Sequence, residues 1–210
     1  MNKNMTEKKR KKIGILGGTF NPIHYGHIHL AESAQKSAGL DQIMFIPSGI
    51  SYMKNQREIL SAADRMEMVK LAIRDYPQFD VSTIEIEKEG NSYSYETVLA
   101  LKQSYPDVEF SFLTGADTIF SMESWKEPAI IFREVTILAA YRIGVSLDEL
   151  KQQIAYLKEK YNADIHLVAV DHIDISSSEI RNAIKNRKAF RGYMPPAVEE
   201  YIRKNRLYQN

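Results

Sequence analysis

The chain reads as an α/β protein, a mainly parallel sheet covered by helices on both faces and followed by a C-terminal helical section. Two observations predict this. Short apolar runs alternate with segments of helical period, the pattern that builds a buried parallel sheet. No internal repeat, low-complexity block or Gly/Ser linker breaks that alternation along the 210 residues. Residues 13–210 are therefore expected to form a single domain behind a basic leader, residues 1–12. Hydrophobic residues at 44% and charged residues at 26% fit a globular protein able to bury its own core.

The leader holds six Lys/Arg against one Glu, a charge of +5 within a chain whose net charge is only +1. Without apolar anchors it is expected to be disordered, although such a run also suits RNA or another anionic surface. Strands are expected at Ile13–Leu16, Gln42–Ile46, Val81–Ile86, Val108–Leu113, Val135–Ala140 and Ile165–Val170. A glycine-rich turn after the first strand enters a helix near Gly26. Residues 61–75 place Met66, Val69 and Ile73 on one face behind Ser61 as N-cap, and a helix over 94–104 stops before Pro106. In 146–161, Ser146 and Glu149 form a capping box. Leu147, Leu150, Ile154, Leu157 and Tyr161 make one core-facing stripe there. Pro196 suits the first turn of a last helix over 196–204.

Composition closes off several chemistries. The chain has no cysteine, which removes disulfides, thiolate metal sites and cysteine nucleophiles. No apolar run is long enough to span a membrane and none follows the basic start as a signal peptide would, so a soluble, cytoplasmic protein is expected. The near-neutral net charge gives no general reason to expect nucleic acid.

The segment that carries chemistry is Gly14-Ile-Leu-Gly-Gly-Thr-Phe-Asn-Pro-Ile-His-Tyr-Gly-His27. It leaves the first strand through Gly17 and Gly18, turns at Asn21-Pro22 and enters a helix. In an open α/β sheet that is the crevice where ligands bind, and a helix N-terminus there offers N–H groups and a positive dipole end to phosphate. The glycines fit neither G-x-G-x-x-G nor G-x-x-x-x-G-K-[ST], which argues against a dinucleotide-dependent dehydrogenase and a P-loop kinase. His24 and His27 could cap and pack the helix, or join His29 in a metal site that lacks a nearby carboxylate. The sharper reading aims both imidazoles at a nucleotide phosphate.

GGTFNPIHYGH resembles the H-x-G-H signature of class I nucleotidyltransferases. Ile175-Ser-Ser-Ser-Glu-Ile-Arg181 is similar to their second signature, I-S-S-[ST]-x-I-R, although Ser176 and Glu179 also read as a capping box. Gly90-Asn-Ser-Tyr-Ser-Tyr-Glu-Thr97, Gly115-Ala-Asp117 with Trp125, and Arg65-Met-Glu-Met resemble segments of the bacterial nicotinate-nucleotide adenylyltransferases. The resemblance runs from Ile13 to about Tyr208 and implies a Rossmann-like, doubly wound parallel sheet. It departs from the family at Pro47-Ser-Gly-Ile-Ser-Tyr-Met-Lys54, where a second proline and a histidine are missing, and at Arg142-Ile-Gly144. Ser94 stands where the family has Thr.

The resemblance implies adenylyl transfer from ATP to nicotinate mononucleotide, giving deamido-NAD and pyrophosphate, with Mg²⁺ held mainly by phosphates rather than by the protein. Residue by residue, Gly18 and Thr19 would hold phosphate, and His24 and His27 would meet the α-phosphate. Ser177, Ser178 and Arg181 would hold the departing phosphates. Lys54 would reach the same charge or simply be solvated. Gly115 and Asp117 would belong to the ATP- and phosphate-binding set, Asp117 accepting from a ribose hydroxyl with helix capping as its alternative. Trp125 would stack on the pyridine ring or pack in the core, and Ser94 with its helix start would receive the nicotinate carboxylate. The expected partners are these small molecules, with no membrane and no nucleic acid; a homo-oligomer is left open. Two alternatives stand: a related H-x-G-H enzyme with another phosphate-bearing acceptor, and a non-catalytic nucleotide- or RNA-binding module.

Overall fold

The computed structural model describes residues 10–50, 59–142, 147–170 and 175–209. Six strands, β1 (Lys11–Gly18), β2 (Gln42–Pro47), β3 (Phe79–Val81), β4 (Val108–Gly115), β5 (Thr136–Arg142) and β6 (Ile165–Val170), form one parallel sheet ordered β3-β2-β1-β4-β5-β6. The chain runs outward from β1 to β3, then crosses to the other side of β1 and continues to β6. At the β1/β4 reversal the connecting loops part in opposite directions and leave a crevice beyond the carboxyl ends of the strands. This is the Rossmann-like arrangement expected.

Among the described residues, eight α-helices cover the two faces: α1 (Tyr25–Ala38), α2 (Ala62–Ile73), α3 (Ser94–Ser104), α4 (Ala116–Ser121), α5 (Pro128–Glu134), α6 (Asp148–Tyr161), α7 (Ser177–Lys185) and α8 (Pro196–Lys204). Strand side chains alternate between faces and so feed two cores. Leu16, Ile43 and Phe45 join Ile28, Met68, Ile180 and Val198 from α1, α2, α7 and α8. Ile13, Ile15, Met44 and Ile46 join Val98, Ile119, Ile131 and Leu150 from α3 to α6. Local signals start the helices as expected. The Asp64 N–H donates to the Ser61 hydroxyl at 3.1 Å ahead of α2. At α7 the Ser176 N–H donates to Glu179 Oε2 at 2.9 Å, and the Glu179 N–H returns to Ser176 Oγ at 3.2 Å.

Three expectations need adjustment. β1 begins at Lys11, because Lys11 and Lys12 pair with Val108 and Glu109, and the Lys12 N–H is taken by the Asp41 carboxylate at 2.8 Å. The third strand is Phe79–Val81 rather than Val81–Ile86. Its partner β2 ends at Pro47, and the chain beyond Val81 turns as the Ile86 and Glu87 N–H groups donate back to the Thr83 carbonyl. The alternation over 81–86 is instead a turn that packs Ile84 on the second core. Helix α6 starts at Asp148 behind Leu147, with Leu150, Ile154 and Leu157 buried. Ser146, Gly144, Lys54 and residues 1–9 of the leader lie outside the described residues.

Candidate active site

Between β1 and α1 the chain must turn sharply, and Phe20 adopts φ 49° to do so, its ring buried edge-on to His27 at 5.0 Å. The loop is held through its carbonyl oxygens. Gly18 O accepts from the Ser48 N–H at 2.8 Å, Thr19 O from Arg65 at 2.9 Å, Asn21 O from Arg181 at 2.9 Å and Pro22 O from the Ser177 hydroxyl at 2.8 Å. The Asn21 side-chain oxygen accepts from the Leu60 N–H at 3.2 Å and from the Tyr208 hydroxyl at 2.9 Å. Pairing these acceptors with protein donors offsets the partial negative charge that would oppose a phosphate at the loop.

His24 is the N-cap of α1 in an extended conformation, and His27 is three residues on. The His24 N–H donates to His27 Nδ1 at 3.2 Å. A ring nitrogen that accepts carries no proton, so neutral His27 keeps its proton on Nε2. The imidazole centroids lie 3.8 Å apart at 39°. Gly26 permits this arrangement, since a Cβ there would sit 2.9 Å from His24 Nδ1. Burial lowers the His24 pKa to about 4, with Glu179 opposing, so His24 is neutral near pH 7.

Two clefts open along the carboxyl ends of the strands. The first, about 400 Å³, is lined by Gly17, Gly18 and Thr19 on one side and by Ser48, Glu85, Ser92, Ser94 and Thr97 on another; Thr114, Gly115, Thr118 and Trp125 close it. The second, about 200 Å³, runs from His24, Gly26 and His29 to Tyr141, Val170 and Ile175. His27, Leu30 and Gly115 line both, so the clefts meet at His27. Among the described residues, three buried side-chain polar atoms have no hydrogen-bond partner: His24 Nδ1, Ser48 Oγ and Trp125 Nε1. Each belongs to a residue of these clefts. Buried polar atoms are nearly always paired, so their gathering here marks a place built for a polar ligand.

The structure brings together Gly18, Thr19, His27, Ser94, Gly115 and Trp125 in the larger cleft and adds His24 in the smaller. Trp125 meets Phe112 edge-on at 6.0 Å, and Ser94 is the first residue of α3. Ser177, Ser178 and Arg181 line neither cleft. Ser177 and Arg181 instead hold the loop backbone, and Ser178 Oγ lies 3.4 Å from an Arg181 nitrogen. Asp117 is exposed in the first turn of α4 and also lines neither, whereas Thr118 does. No group of three or more His, Asp or Glu among the described residues is placed to hold a metal ion.

Three further residues shape the site without an advance reading of their roles. Arg65, 2% exposed, donates to the carbonyls of Leu60, Thr19 and Ser48 at 3.2, 2.9 and 2.7 Å. It thereby joins α2, the loop and the end of β2 around one buried cation, and burial pushes its pKa down. Glu85 accepts from the Thr97 hydroxyl at 2.8 Å and from the Gly49 N–H, and burial raises its pKa against those donors. Gly49 lies so close that a Cβ would meet the Glu85 carbonyl oxygen at 2.2 Å. Tyr208, near the end of the chain, is the third; burial raises its pKa despite Arg181 and Arg65 nearby. The R-x-E-M pattern flagged Arg65, but only the tertiary fold reveals what it braces.

Comparison with known proteins agrees with this geometry. A family described as cytidylyltransferase-like matches residues 15–183. A "Probable nicotinate-nucleotide adenylyltransferase" of Lachnoclostridium phytofermentans is 40% identical over 94% of this chain and 99% of its own length. One of the same description from Clostridium botulinum is 41% identical over 95% and 98%. Among solved structures, a Plasmodium falciparum nicotinic acid mononucleotide adenylyltransferase complexed with NaAD superposes with a TM-score of 0.77 at 21% identity, covering 94% of this chain and 97% of that one. At that identity the likeness carries the fold alone.

Proposed function

The chain belongs to the cytidylyltransferase-like family, and on that premise we propose that it transfers the adenylyl group of ATP to nicotinate mononucleotide. A phosphate oxygen of the mononucleotide attacks the α-phosphorus of ATP in line. The bond from that phosphorus to the β-phosphate oxygen breaks, and deamido-NAD and pyrophosphate leave. No covalent enzyme intermediate is required, so positioning and charge stabilisation carry the rate. The observation that supports this reading best is the pair of histidine rings in close contact at the N-terminus of α1, where the two clefts meet.

In this reading the His27 Nε2–H donates to an α-phosphate oxygen as negative charge builds there, and His24 supplies a second donor beside it. The N–H groups of the first turn of α1 add the positive end of the helix dipole. Gly18 and Thr19 let the backbone close on phosphate. Ser177 and Arg181 keep the loop in place and, with Ser178 at the start of α7, receive the departing phosphates; Lys54 adds charge there. Gly115 and Asp117 at the start of α4 take the ATP ribose. Trp125 lies against the pyridine ring, and Ser94 with the first N–H groups of α3 receives the nicotinate carboxylate. Glu85 stands in the same cleft, and its engagement by Thr97 and Gly49 moderates repulsion between the two carboxyl groups.

ATP-using nucleotidyltransferases generally work with a divalent ion. The described donors do not form a cage for one. We therefore write Mg²⁺ as part of the ATP substrate, bound by phosphate oxygens and water, and assign it no step of its own. The compartment this reading assigns is the cytoplasm. The test is pyrophosphate release with ATP and nicotinate mononucleotide, followed for wild type and for Trp125→Ala. Release that requires the mononucleotide and falls in the variant supports the assignment; release indifferent to the mononucleotide overturns it.

A further inference from the structure

A third cleft, about 590 Å³, lies where α7 ends and α8 packs, away from the strand ends. Its lining includes Lys185, Arg187, Lys188 and Arg203, with Phe190 and Gln209 beside them, and no acidic residue. The segment 185–206 holds seven Lys/Arg against two Glu, a local charge of +5 in a chain of net +1. None of those seven cations forms an ion pair among the described residues.

A solvated basic face is the ordinary outcome for such residues, and the C-terminal end of a helix attracts cations by its dipole. That explains Lys185 in the last turn of α7 and Arg203 in the last turn of α8, but not Arg187 and Lys188. Arg187 turns the chain out of α7 at φ 55°, and Gly192 turns it again at φ 80°. These turns fold residues 187–192 against α8. Arg203 then lies over the Phe190 ring at 4.9 Å, with Phe190 itself buried, which fixes the guanidinium in place. The acidic residues of α8 form no ion pair with the group among the described residues. Glu199, one turn before Arg203, accepts the Gly192 N–H at 2.8 Å instead. The result is a concave site whose lining gathers four cations and no carboxylate. Its volume falls in the ordinary range for small-ligand pockets, roughly 300–1,000 Å³.

We propose that this cleft is a second anion site, separate from the catalytic clefts, that binds a compact oligophosphate, either free or as the phosphate chain of a nucleotide. Arg187 and Arg203 offer forked donors suited to phosphate oxygens, and Lys185 and Lys188 add point charges.

The probe is inorganic tripolyphosphate, titrated calorimetrically into the full chain at low and at physiological salt. Two sites per chain are expected. Lys185→Ala/Lys188→Ala removes two exposed cations outside the catalytic clefts. It should weaken one site by about tenfold or more, the loss expected when charge-assisted contacts are removed, while kcat stays at the wild-type value. Lys188→Arg, which keeps the charge, should preserve both sites. The lone Trp125 lies in the catalytic cleft, so its fluorescence should respond to one site and remain silent to the other. A nucleoside triphosphate titrated in parallel shows whether a base adds affinity at the second site. A single site in wild type, or two undiminished sites in the double variant, overturns the proposal. Binding of a 20-nucleotide RNA that depends on these lysines, with no tripolyphosphate at the cleft, overturns it in favour of a polynucleotide surface.

Discussion

His27 and His24 share a motif but perform under different constraints. His27 accepts the His24 N–H on Nδ1 and stands where the two clefts meet; in the proposed function its Nε2–H acts on charge that exists chiefly in the transition state. His27→Ala is expected to lower kcat by about 10²–10⁴ with far less change in the mononucleotide KM, as for other lost donors to a developing oxyanion. Steady-state kinetics would show this, and near wild-type kcat would remove His27 from the chemistry. His24 is buried and neutral, with a folded pKa of about 4 against 6.5 unfolded. Between those values the unfolded chain binds more protons, so stability falls as pH drops through that window and is unaffected above it. The full loss is about 3 kcal/mol. Urea midpoints from pH 7 to pH 4 should fall less steeply in His24→Gln than in wild type; parallel curves would contradict the assignment. The spacing H-x-G-H made this pair legible in the sequence. Arg65 and Tyr208 were not legible as braces, because their partners Thr19 and Asn21 lie 46 and 187 residues away.

At the scale of elements, the site is a loop clamped by helices that approach from distant parts of the chain. Arg181 and Ser177 of α7 and Arg65 of α2 bond loop carbonyls, and Tyr208 bonds the Asn21 side chain. Tyr208→Phe removes one hydrogen bond while Leu60 still serves Asn21. About 1 kcal/mol of stability should be lost, together with a reduction in kcat if the loop is catalytic. Chemical denaturation and kinetics on one preparation separate the effects, and unchanged kcat would make the latch purely structural. Gly26→Ala tests α1 from the other direction. Alanine favours a helix by up to about 1 kcal/mol, yet its Cβ would push the His24 ring. Activity should therefore fall while thermal stability holds or rises; unchanged activity would show that the ring position does not matter. Helices with full periodic stripes or clear caps were readable, α2, α3, α6 and α8 among them. The six-residue α4 and seven-residue α5 are too short to display a period. β3 was misplaced because a turn packing Ile84 mimics strand alternation.

Across the whole molecule, the strand order β3-β2-β1-β4-β5-β6 places the β1 loop, the start of α3 and Trp125 around one cleft. The alternation of apolar runs predicts a parallel sheet and the motif resemblance implies a doubly wound one, but the strand order is legible only in the structure, since periodicity does not encode crossovers. This topology sets His27, Ser94 and Trp125 in one cleft, and the proposed function gives the phosphate chemistry to the first and pyridine recognition to the other two. The central claim is that the acceptor is nicotinate mononucleotide. Helix N–H groups at the start of α3 can only donate, so they satisfy a carboxylate but oppose a carboxamide NH₂, a mismatch of about 1.4–3 kcal/mol or 10–150-fold. The most direct measurement is kcat/KM for pyrophosphate release with ATP and each of the two mononucleotides, acid and amide, on the wild-type protein. The account predicts that the acid is preferred by at least about tenfold and that Ser94→Ala narrows the gap. Equal use of the two by wild type, or preference for the amide, would contradict it.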